Sequence, residues 1–157
     1  MRSFTLDGLD IEEDLGRASV KGRFSLDDGG LIDVQVEAQK FDLRKALRVW
    51  PVWVASNVRR WLVQHAEAGQ LASLTLRSSL SGEALKDAFN HRPIPDAALR
   101  LTYRIEDAKL RPVLDAAPLL GLVASGVSSG RRADIDIERG WVEPANGQRF
   151  DVLGAKL

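Results

Sequence analysis

A chain of 157 residues with 45% apolar and 28% charged residues has the composition of one globular domain, long enough to bury about two-thirds of its unfolded surface. Its formal net charge is zero, so no global field favours nucleic acid as a partner, and the absence of cysteine excludes disulfides and thiolate metal sites. The first residues contain no apolar leader core and no run reaches the roughly 18 to 20 apolar residues of a membrane span, which leaves a cytosolic protein or a piece of a longer exported chain.

In chain order, Phe4, Leu6, Leu9 and Ile11 predict a strand broken at Gly8 and followed by the acidic turn Glu12-Glu13-Asp14. Val20, Gly22, Phe24 and Leu26 then alternate with Ser19, Lys21, Arg23 and Ser25, as in a strand with one wet face. Asp27-Asp28-Gly29-Gly30 tolerates positive φ and predicts a hairpin onto a strand whose apolar row is Ile32, Val34, Val36 and Ala38.

The period changes from two to 3.6 in residues 41–70. Leu43, Ala46, Leu47 and Trp50 fall on one side of a short helix and Arg44, Lys45 and Arg48 on the other. Asp42 is placed to cap it, and Pro51 to stop it near Val49 or Trp50. A second helix, with Ser56 as its N-cap, carries Val54, Val58, Trp61, Leu62 and His65 on its inner stripe. Arg59, Arg60, Val63 and Gln64 turn away, and Gly69 ends the pattern. The result is a helical hairpin, apolar inside and basic outside, with Trp53 at its turn.

Strand period returns at Leu74, Leu76 and Leu80. Residues 82–90 have room for one or two helical turns, and Arg92-Pro93-Ile94-Pro95-Asp96 predicts an extended connection. Ala97, Leu99, Leu101, Tyr103 and Ile105 make the cleanest strand, and a short one follows Asp107 around Lys109–Arg111. Residues 114–129 suit a buried helix turn or a strand, and their small residues with Gly126 favour the strand. Ala133, Ile135 and Ile137 alternate with Asp134, Asp136 and Glu138. Gly140, Pro144, Asn146 and Gly147 supply turns before a last strand from Phe150, with a bulge or bend at Gly154. The fold class expected is α+β: a curved, mostly antiparallel sheet with a helical hairpin packed on one face. It is one domain, with entering strands over 1–40, the hairpin over 41–70 and the remaining strands over 71–157.

Val49-Trp50-Pro51, then Asn57-Val58-Arg59-Arg60-Trp61-Leu62 and Gly69, stand in an order that continues with Pro95-Asp96, Ala117-Pro118-Leu119 and Ile137-Glu138-Arg139-Gly140-Trp141-Val142. Over residues 41–157 this order resembles the AsmA-like C-terminal region of large bacterial envelope proteins of the TamB and YhdP type. The resemblance implies a repeating β-groove, apolar inside and polar outside, that lets phospholipid acyl chains pass between the inner and outer membranes or serves outer-membrane assembly. It implies a periplasmic setting within a longer chain anchored in the inner membrane, so that this sequence is an excised domain.

The residues themselves allow a separate estimate. Eight or so strands make a sheet roughly 35 to 40 Å wide, and two helices of about 10 Å cover about half of it. The rows Ile32, Val34, Val36 and Leu99, Leu101, Tyr103 therefore need a further cover. The sheet can curl on itself, meet a neighbouring domain of the same longer chain, pair with a second copy, or hold acyl chains. Arg44, Lys45, Arg48, Arg59 and Arg60 with the nearby tryptophans form either a surface for anionic membrane or a solvated helix face backed by core tryptophans.

No catalytic constellation assembles. His65 reads as a partly buried core residue and His91 as a loop residue, and they share no metal spacing. Asp134, Asp136 and Glu138 read as a solvated row rather than a cation site, and neither a nucleophile elbow nor a phosphate-binding glycine loop is present. The expectation is a module that is not an enzyme, without metal, cofactor or nucleic acid. The alternative to the lipid groove is a structural scaffold whose sheet is fully self-packed.

Overall fold

The computed structural model describes residues 3–13, 16–25, 29–50, 52, 54–90, 92–113, 115–145 and 147–156. Among them the chain forms one eight-stranded antiparallel sheet whose strands lie side by side in chain order. They are β1 (Ser3–Glu13), β2 (Gly16–Ser25), β3 (Leu31–Asp42), β4 (Ala66–Ser81), β5 (Leu99–Leu110), β6 (Leu119–Ser129), β7 (Ala133–Val142) and β8 (Phe150–Lys156). Helices α1 (Leu43–Val49) and α2 (Ser56–His65) join β3 to β4, and α3 (Gly82–Phe89) with a 3₁₀ turn at Asp96–Ala98 joins β4 to β5. The α+β class, with a helical hairpin on one face of an antiparallel sheet, is as expected.

The hairpin starts and stops for local reasons. Asp42 Oδ1 accepts from the Lys45 amide at 2.9 Å and satisfies one orphan donor of α1. At the other end, Arg59 Nε and Nη2 donate to the carbonyls of Trp50 and Leu47 at 3.0 and 3.2 Å, closing the open end of α1. The side chain of α3's cap, Ser81, accepts from the Ala84 amide at 3.2 Å. Leu43, Leu47 and Trp50 from α1, Ala84 and Ala88 from α3, and Leu71, Leu80, Leu101, Tyr103 and Ile105 from the sheet make the central core.

Several boundaries differ from the expected ones. The second helix ends at His65, not at Gly69, because β4 begins at once: Ala66 pairs with Leu110, and the Arg111 amide donates to the His65 carbonyl at 2.8 Å. The strand expected after Asp107 is the end of β5, which passes through Asp107 at φ 48 with a register shift between Ile105 and Ala108. Residues 119–129 form strand, and the small residue at Gly121 has a reason. A Cβ there would lie 1.7 Å from Cζ3 of Trp141, whose ring covers that backbone. Gly29 and Gly30 take φ 90 and 83 between β2 and β3. The turn residues Leu26, Asp27 and Asp28, and likewise Asp14, Pro51, Trp53, His91, Leu114 and Asn146, lie outside the described residues.

Candidate functional site

Directly opposed residues of antiparallel strands project to the same side of a sheet, so the register shows what each face is made of. Phe4 pairs with Phe24, Phe24 with Ile32, and Ile32 with Leu80. A second row runs Leu9, Val20, Val36, Leu76, Leu101, and a third runs Ile11, Ala18, Ala38, Leu74, Tyr103. No charged residue interrupts these rows. The alternation written separately into each strand thus becomes one apolar face from β1 to β5.

The helices cover that face unevenly. Leu99, Leu101 and Tyr103 are 1, 1 and 3% exposed, which corrects the expectation that this row needs a cover beyond the hairpin. The physical reason is a third helix: α3 and the connection after it place Ala84, Ala88, Ile94 and Ala98 in the same buried cluster as α1. Ile32, Val34 and Val36 are half-buried. Beyond them the face is open, with Phe4 69% and Leu9 50% exposed and with Leu6, Ile11 and Phe24 exposed too. These five residues complete the uncovered face. Their alternation was legible, but which end of the sheet the helices would leave bare was not.

The five basic residues assigned to the hairpin surface separate into three groups. Arg44, Lys45 and Arg48 are exposed along α1. Arg59 is half-buried and committed to the α1 carbonyls, so it does not belong to an outward patch. Arg60 is exposed and lines a pocket at the start of α2. Val49, Val52 and Val63 add exposed apolar groups to the hairpin. Trp61 does so as well: at 38% exposure it is not on the inner stripe. Val58 and Leu62 fill the inward strip of α2, with Val54 buried just ahead of the helix, and Trp61 stands about 100° around the helix from Leu62. Its ring lies 4.9 Å from that of half-buried His65, whose Nδ1 donates to the Arg111 carbonyl at 2.9 Å.

Two groups of charged side chains on the rest of the sheet are paired with one another. Glu67 is held below the usual carboxylate range by Lys109 Nζ at 2.7 Å and Arg111 Nε at 2.6 Å. Arg104 reaches Glu138 through two nitrogens and Glu106 through Nε, so Glu138 is lowered and Arg104 raised. One acidic residue of the row Asp134, Asp136, Glu138 therefore serves a cross-strand ion pair. Among the described residues no group of three His, Asp or Glu side chains is placed to hold a metal ion. No helix among them is long and apolar enough to cross a membrane.

Tyr103 is the buried titratable group of the core, and desolvation pushes its phenol up to about 12 from 10.0. The fold favours the neutral form, so the unfolded chain loses its proton first as pH rises. Stability should be intact below pH 10 and fall by about 2 to 3 kcal/mol by pH 12. Denaturant melts of the protein and of Tyr103→Phe across this range test it: the variant should lack that part of the decline, and parallel curves would mean the phenol is not shielded.

The architecture is thus an open antiparallel meander whose one apolar face is half covered by helices. No family model, curated protein or solved structure matches the chain.

Proposed function

We propose that this domain is a non-catalytic module that holds phospholipid acyl chains on the uncovered apolar face of β1–β3. The observation that carries the reading is the in-register row Phe4–Phe24–Ile32, with Leu9–Val20–Val36 beside it, open at β1 and closed at β4 by Leu80 and Leu76. Methyl groups and two phenyl rings line the surface, so it suits hydrocarbon and offers a headgroup few fixed partners. Ile32, Val34 and Val36 form its inner margin, while Leu99, Leu101 and Tyr103 support it from within the core. The AsmA-like order of motifs favours a bacterial periplasmic setting, in a longer chain anchored in the inner membrane and devoted to lipid transport or outer-membrane assembly.

A second reading is favoured by the outer edge of β1. This strand has 11 residues and is the last of the sheet on that side, so its main chain is free to pair with a further strand of the same longer chain. In that case the apolar face is buried by neighbouring domains and the module is a scaffold.

Acyl-chain length separates the two. Each further buried methylene contributes about 0.8 kcal/mol, so a lipid two carbons longer should bind about tenfold more tightly until the face is filled. Native mass spectrometry and displacement of a fluorescent lipid measure this on detergent-free protein. Leu9→Asp should abolish binding and still fold, because the site is half exposed, whereas Leu101→Asp would put a charge into the core. Absence of binding at every chain length would give the domain to the scaffold reading. In the lipid-holding reading, Arg44, Lys45 and Arg48, with Val49 beside them, would seat the domain on a membrane. Co-flotation with anionic vesicles should fall as salt rises, and equal flotation with neutral vesicles would remove this part of the proposal.

A further inference from the structure

The two edges of the sheet are built differently. β8 has only 7 residues, ends on Lys156 and bends at Gly154, whose φ is 64. Shortness, lysine and a bend are devices that keep an edge strand from pairing with another chain. β1 has 11 residues without lysine or proline, and its outer side meets no further strand among the described residues. Its apolar side chains Phe4, Leu6, Leu9 and Ile11 are exposed as well.

The register of β1 says what fits that edge. Leu6 pairs with Gly22 and Leu9 with Val20, so Asp7 and Gly8 together stand opposite the single residue Lys21. This extra residue interrupts the alternation, and the four apolar residues are therefore spaced symmetrically about a point between Asp7 and Gly8. Against β2 the interruption costs a register shift. Against a second β1, turned antiparallel about the same point, the two interruptions coincide and no shift is left.

About that two-fold axis Phe4 faces Ile11 of the second copy and Leu6 faces its Leu9, all on the apolar side. On the polar side Ser3 faces Glu12, Thr5 faces Asp10 and Asp7 faces Gly8. Like charges directly opposite one another destabilise a strand pair, and at this register every carboxylate falls opposite a neutral residue. Hydropathy and charge are both self-complementary there.

We propose that β1 is a self-recognition edge: two copies of this chain pair antiparallel at β1 about the point between Asp7 and Gly8, and a single sheet runs through both. The row Leu80, Ile32, Phe24, Phe4 then continues into Ile11, Ala18 and Ala38 of the second copy. The uncovered face comes to lie in the middle of the dimer, roughly 25 to 30 Å across β1–β3 of both copies, with a helical layer at each margin. Each copy contributes half of that surface. That the joined surface holds hydrocarbon rests on the acyl-chain reading above, whereas the pairing does not.

Sedimentation equilibrium of the full chain, without lipid or detergent, tests the pairing. A two-strand junction is a small interface, below about 1,200 Å², so a reversible monomer–dimer equilibrium is expected. Thr5→Glu sets a carboxylate opposite Asp10 at both ends of the junction and should weaken dimerisation several-fold, while Thr5→Lys should tighten it. In an Asp10→Lys background the order of the two should reverse. Both positions are exposed, and within one strand they stand roughly 16 Å apart, beyond the screening length of about 10 Å at 0.1 M salt. Coupling between them therefore arises only across the junction. Thr102→Glu, at an exposed position on β5, should change nothing. A chain that stays monomeric up to millimolar concentration overturns the proposal, and so does a dimer in which positions 5 and 10 are uncoupled. Displacement of a fluorescent lipid is read separately. A monomer that binds acyl chains removes the pairing alone, and a dimer with coupled positions that binds none upholds the pairing and removes the acyl-chain reading.

Discussion

Trp50→Ala should destabilise the domain by about 3 to 5 kcal/mol, whereas Trp61→Ala should cost no more than about 1 kcal/mol. The two tryptophans sit on the same hairpin and the sequence gives both to its inner side, but their surroundings differ. Trp50 is 6% exposed, its ring meets Tyr103 edge-on with centroids 6.5 Å apart, and its Nε1 donates to the Val54 carbonyl at 2.8 Å. It also ends α1, with its amide on the Ala46 carbonyl and its own carbonyl accepting from Arg59. Removing the indole opens a cavity above Tyr103 and leaves the Val54 carbonyl without its donor. Trp61 loses only a half-wet face and a contact with His65. Urea melts with unchanged slopes decide it, and equal shifts of midpoint for the two variants would sink the distinction.

The elements that were legible in the sequence are those with one wet face. β2, β3, β5 and β7 each set apolar residues against polar ones, and period two survives because water occupies one side. β6 has no such signal, since nearly all its residues are at least half-buried. Only its small residues pointed to a strand. The structure explains them, because the rings of Trp141 and Tyr103 crowd Gly121 and Gly126. Ser56 misled for a different reason. The indole of Trp50 fixes the Val54 carbonyl and Arg59 bonds back to Trp50, so the chain turns at Ala55 and the helix begins before the serine can cap it. The uncovered apolar face was half legible, as rows but not as a location, because cover depends on where α1 and α3 come to rest.

The second large effect is a pairwise one, at Gly126. A Cβ at this position would lie 2.3 Å from both Cζ and Oη of Tyr103, the residue it pairs with across β5 and β6. The ring lies against bare backbone there and carries Trp50 at its edge, so a side chain at 126 would push against Tyr103 and, through it, against α1. Gly126→Val should therefore cost about 3 kcal/mol, although valine is otherwise the better strand former. The cost should depend on the ring. In a Tyr103→Leu background the space over residue 126 is free of the phenol, and the same Gly126→Val change should cost less than about 1 kcal/mol, a coupling of about 2 kcal/mol between the two sites. Four chemical melts, of the parent, each single variant and the double variant, give that coupling directly. If Gly126→Val costs the same in both backgrounds, the glycine is required by its own backbone and not by the ring packed on it, and Tyr103 would lose its role as the link between β6 and the hairpin.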